Sequence, residues 1–143
     1  MSGDLHYVRF EARGDLFALP LREVREVIEP SALTPIPHGP RSALGVMNHH
    51  GRVVTLIDLR SLLLGEQPAS PAICLLLDAP DRRVALGVDR VEGIGPLHVE
   101  EGLARLGQRA VSVLNSARVF DAVDLSFDQG GMVESTSQTL EEL

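Results

Sequence analysis

The sequence predicts an all-β fold of two related small barrels that share a core. Three observations predict it: an aliphatic, valine-rich composition, two-residue apolar periodicity in short segments, and an internal repeat. Apolar residues make up 44% of the 143 residues, aromatic residues only 3%, and tryptophan is absent. The core is therefore aliphatic, and its β-branched valines favour strands. The length suits one domain, or two small units packed closely together.

The elements follow in chain order. His6, Val8, Phe10 and Ala12 alternate with Tyr7, Arg9, Glu11 and Arg13, which predicts a strand with one apolar face. Gly14-Asp15 reads as a turn, and Leu16 to Leu21 as the second strand. Gly51-Arg52 marks a tight turn between strands at Leu44–Met47 and Val53–Ile57. Ile73–Leu77 and Val84–Val88 flank the polar Pro80-Asp81-Arg82-Arg83, a hairpin pattern. A short helix-like segment closes each half, at Leu59–Leu64 and at Ser116–Phe120. From Asp128 the pattern stops, and the polar, acidic end predicts a flexible tail over 128–143.

The repeat organises these elements. Ala18-Leu19-Pro20-Leu21-Arg22-Glu23-Val24 recurs as Ala85-Leu86-Gly87-Val88-Asp89-Arg90-Val91. Gly45-Val46 followed by Arg52–Asp58 recurs as Gly102-Leu103 followed by Arg109–Asn115. One domain over 1–127 thus reads as two units, near 5–66 and 72–125. The second is ten residues shorter between its matched blocks: the Pro-rich stretch from Glu29 to Pro40 shrinks to Gly95–Glu101. Units this small bury too little surface alone, so they should share a core. Short strands separated by regular turns favour small barrels.

The net charge of −7 argues against nucleic acid and anionic membrane as partners, since both require a cationic face. Cys74 has no intramolecular partner and lies in the apolar run from Ala72 to Leu77, which predicts a buried, inert thiol. There is no signal pattern, and no apolar run approaches the ~20 residues of a membrane-spanning helix, so the expectation is a cytoplasmic protein without membrane insertion. His49 and His50 are adjacent. On a strand they would point to opposite faces, so no metal site is expected. Asp58 and Asn115 occupy the same repeat position, which fits structural hydrogen bonding better than paired acid–base carboxylates. Ser42, Ser61 and Ser70 lack a nucleophile-elbow pattern, and there is no phosphate-binding glycine loop. Neither a catalytic residue nor a cofactor is expected.

Four blocks in order carry a family resemblance: Phe17 to Ile28; Thr34-Pro35-Ile36-Pro37; Gly45-Val46-Met47-Asn48-His49-His50-Gly51-Arg52 continuing to Arg60; and Leu86 to Ile94. Over roughly residues 5–122 the chain resembles the CheW-like family of chemotaxis coupling proteins. The resemblance implies two SH3-like, five-stranded β-barrel subdomains around a common core, the second shortened, with short helical segments. It also implies a non-enzymatic adaptor at chemoreceptor arrays. Such an adaptor couples the cytoplasmic tip of a methyl-accepting chemoreceptor to the regulatory domain of the CheA-type histidine kinase.

Carried over motif by motif, the receptor-binding positions are Val8, Leu21, Val24, Val27 and Val91. Strand valines are usually core, so the pattern leaves Val24 and Val27 open between groove and core. It favours core at Val8 and Leu21. Three departures stand out. His50 replaces an Arg that usually precedes the motif glycine, which makes it a candidate partner-interface position of altered charge. Thr55 stands where a proline is usual. The ten-residue loss falls in the unit through which the family meets the kinase. The chain thus resembles a short, divergent member such as the accessory CheW-like protein of the myxobacterial Frz system. It is expected to keep receptor docking and to have weakened or lost kinase docking. The alternatives are an ordinary coupling protein bridging receptor and kinase, and a ring-forming array component that assembles with other CheW-like proteins.

Overall fold

Ten strands and two helices follow one another in the computed structural model, which describes residues 5–128. In order they are β1 (His6–Ala12), β2 (Asp15–Pro20), β3 (Val24–Ile28), β4 (Ala43–His49), β5 (Arg52–Asp58), α1 (Leu59–Leu64), β6 (Ile73–Leu77), β7 (Val84–Val88), β8 (Arg90–Pro96), β9 (Leu103–Leu106), β10 (Arg109–Val113) and α2 (116–128). A 3-10 turn at Leu21–Glu23 joins β2 to β3. The predicted strands and turns match this order. The second strand ends at Pro20, one residue early, because Leu21 opens the 3-10 turn. Positions 129–143, most of the expected tail, lie outside the described residues, and Asp128 itself is helical.

The strands form two five-stranded sheets, ordered β8-β1-β2-β10-β9 and β3-β6-β7-β5-β4. Advancing every strand of one sheet by five places around the ten-strand order produces the other, so the repeat is obeyed strand by strand. The expected units at 5–66 and 72–125 are nevertheless not the two sheets. Each sheet takes strands from both halves of the chain. The chain changes sheet at the 3-10 turn after β2, and again at Asp89 between β7 and β8. The repeat therefore describes element order, and the spatial subdomains interleave.

Three apolar clusters show how the sheets pack. One lies within the second sheet and takes Ile28, Met47, Val54, Leu56, Cys74, Leu76 and Ala85 from all five strands. Burial there pushes the Cys74 thiol up to about 11. A second lies within the first sheet, around Tyr7, Leu16, Ala18, Ala104 and Val111. The third is the shared core between the sheets. Val8, Phe10, Phe17 and Leu19 meet Ile57, Leu75, Leu77 and Leu86 there, with Val119 and Val123 of α2. Central strands such as β6 and β7 bury both faces, which is why they read as unbroken apolar runs. Helix α2 runs well beyond the five residues expected, because Val119, Val123 and Phe127 recur at four-residue spacing and all pack on the shared core.

The two edges of the second sheet are joined by the chain beyond β3. Thr34, past the end of β3, exchanges two backbone hydrogen bonds of 2.8 Å with Val46 on β4, the opposite edge of the same sheet. Gly45 permits that approach, since a Cβ there would lie 2.7 Å from the Thr34 carbonyl oxygen. Between the sheets, Arg13 reaches from the β1–β2 turn to Asp58 at 2.7 Å and to Glu66 at 3.0 Å.

Candidate functional site

The strand register decides what the two outer strands β3 and β8 present. Val24 and Val27 stand opposite Leu77 and Leu75, both members of the shared core. Val91 and Ile94 on β8 stand opposite Phe10 and Val8, also shared-core residues. Cross-strand partners share a face, so all four side chains lie on core-facing sides of outer strands. Val24 and Val91 are half-buried against the same core cluster. Val27 and Ile94 sit further out, 44% and 58% exposed. Leu21, in the crossing between sheets, is 41% exposed. Apolar surface of this kind, packed in part against the shared core, is what a partner's apolar face can cover.

Of the five expected docking positions, the structure keeps Leu21, Val24, Val27 and Val91 at the surface or its margin and removes Val8. At 2% exposure Val8 is core, because β1 is flanked by β8 and β2 and lies under both helices' cluster. Leu21 is the opposite case: the pattern favoured core, but the 3-10 turn takes it off the strand and into solvent. Sequence reasoning missed Ile94. The repeat carries the signal, since the spacing that relates Val24 to Val91 relates Val27 to Ile94.

The departures from the family pattern have local accounts. His50 occupies the β4–β5 turn with φ 51°, followed by Gly51 at φ 78°, the left-handed pair that a tight hairpin requires. It is therefore off the strand, and the expected divergence of His49 and His50 does not occur. Their ring centroids are 4.1 Å apart, and His49 Nε2 lies 3.3 Å from Glu26 Oε1. At Thr55 the backbone N–H donates to the Arg83 carbonyl at 3.0 Å, a bond proline could not make. The ten-residue loss appears as a short connection from Pro96 to Leu103 and a four-residue β9, where its repeat partner β4 has seven residues.

Asp58 and Asn115 are both helix N-caps. Asp58 Oδ2 accepts from the Ser61 N–H at 3.0 Å, and Asn115 Oδ1 from the Arg118 N–H at 2.8 Å. A carboxylate or an amide serves that role equally, which explains the exchange between repeat copies.

Residues 6–120 match the family model for the CheW-like domain. The chain is 36% identical over 96 residues to the probable chemotaxis protein CheW of Rhizobium etli and 31% identical over 96 residues to the chemotaxis protein CheW of Rhizobium meliloti. Each alignment covers 65% of this chain and 61% of the relative. The chain thus spans a little under two thirds of the length of these relatives. Among solved structures, the scaffolding protein TtCheW from Thermoanaerobacter tengcongensis superimposes with a TM-score of 0.67 at 21% identity, over 77% of this chain and 83% of the other. At that identity the likeness concerns the fold.

Proposed function

The chain belongs to the CheW-like domain family, and from that premise we propose that it is a non-enzymatic chemosensory adaptor. It binds the cytoplasmic signalling tip of a methyl-accepting chemoreceptor, and its coupling to the CheA-type kinase is weakened or lost. The observation that carries the reading is the repeat-related pair of apolar edges. Val27 and Ile94 are exposed beside half-buried Val24 and Val91, on outer strands that border one core. A helical tip is recognised by laying its apolar face on such a strip. Loss of kinase coupling is favoured by the brief connection before β9 and by β9 itself, a four-residue edge strand where its repeat partner β4 has seven.

The test is a paired pull-down of the full chain with the receptor's cytoplasmic tip and, separately, with the kinase regulatory domain. The expected result is retention of the tip and no retention of the kinase domain. Val27→Asp or Ile94→Asp should each weaken the tip by about thirtyfold, roughly 2 kcal/mol. Binding of both partners would instead make this an ordinary coupling protein. A mass that rises with concentration, with neither partner bound, would indicate an array component.

A further inference from the structure

We propose that Glu26, His49 and His50 bind a divalent transition-metal ion of the zinc class at the seam of the second sheet. This site is separate from the apolar docking strip and stands whether or not a receptor binds there.

The three residues come from the two opposite edges of one sheet. Glu26 is on β3, His49 ends β4, and His50 opens the β4–β5 turn. The edges approach because the chain after β3 pairs with β4 at Thr34 and Val46. The Ser31 hydroxyl also reaches the Asn48 carbonyl at 3.5 Å. Register places Glu26 opposite Leu76, and His49 two residues beyond Met47, and both of those apolar residues belong to the cluster inside this sheet. Glu26 and His49 thus share the inner face at the rim. His50, freed from strand alternation by its left-handed backbone, turns its ring towards His49.

One donor atom from each residue falls within 4.8 Å of the other two, and the His49–Glu26 pair is already at 3.3 Å. A four-coordinate zinc with ligands at about 2.0–2.1 Å separates them by about 3.3 Å. The remaining separations, up to 4.8 Å, must close on binding, and Glu26 and His50 are both exposed, His50 in a turn. Two imidazoles and a carboxylate suit zinc, nickel or copper. Calcium and magnesium prefer all-oxygen sets. Three protein ligands leave a position for water or a partner's donor. Arg52, opposite His49 across the hairpin, is exposed, so solvent screens its charge. A bound ion would cross-link β3 to the β4–β5 hairpin and hold the strand that carries Val24 and Val27.

Tag-free, chelator-treated full chain titrated with zinc chloride in a calorimeter tests this. A single ion per chain should bind, and the same addition should raise the melting temperature. Glu26→Gln, His49→Gln and His50→Asn should each weaken binding by about tenfold or more. Asn tolerates the left-handed turn, so His50→Asn leaves the metal-free melting temperature unchanged and decides the matter if another variant misfolds. His98→Gln, which alters the exposed His98–Glu100 pair on another loop, should leave binding intact. Absence of binding, binding unaffected by His50→Asn, or binding lost with His98→Gln would each overturn the proposal.

Discussion

Val8 and Val27 are both strand valines at expected docking positions, yet 2% of one and 44% of the other is exposed. The difference separates a folding residue from a binding one. Val8→Asp would bury a carboxylate in the apolar shared core, at a cost on the order of 3 kcal/mol or more. Its urea midpoint should fall sharply or the protein should not accumulate. Val27→Asp places the same charge at a solvated edge and should change stability by no more than about 0.5 kcal/mol. Equal loss of stability in both would mean that the core-facing side of β3 is closed, and that Val27 is unavailable to a partner.

At the scale of elements, the two helices begin alike and are held differently. Asn115 caps α2 through one hydrogen bond to the Arg118 N–H, so Asn115→Ala should cost about 1 kcal/mol in chemical denaturation. Asp58 caps α1 and also receives Arg13 at 2.7 Å, and it is itself buried. Asp58→Ala should therefore cost more than Asn115→Ala, because it removes a cap and leaves the Arg13 guanidinium without its nearer carboxylate. A smaller loss at Asp58 would show that Glu66 alone holds Arg13 in place.

Over the whole molecule, ion pairs tie strands that are distant in sequence. Glu11 on β1 accepts from Arg109 on β10 at 3.1 Å and from Arg90 on β8. Arg109 first, then Arg90, hold its carboxyl below the ordinary 4.5, and Arg60, with Arg13, does the same for Glu66. A lowered folded value means that the stabilisation is present above 4.5 and is lost as pH falls through the folded value. Acid unfolding followed by circular dichroism should thus steepen below pH 4.5, and Glu11→Gln should reduce that dependence. An unchanged acid limb in the variant would show that solvent screens the pair in solution.

The strand class, the turns and the repeat were determined by sequence alone, because two-residue alternation and glycine turns act between neighbours in the chain. Residues 6–12 and the Gly14 and Gly51 turns needed nothing distant to be legible. Which strands share a sheet was decided only by the tertiary structure. That choice rests on backbone pairing across many tens of residues, such as β1 with β8, and local pattern does not record it. The same pairing sank Val8, left Ile94 exposed on an outer strand, and brought Glu26 to His49 and His50 across a closed seam. Exposure and side-chain convergence are properties of which edges meet, and edges meet only when the whole sheet curls around its core.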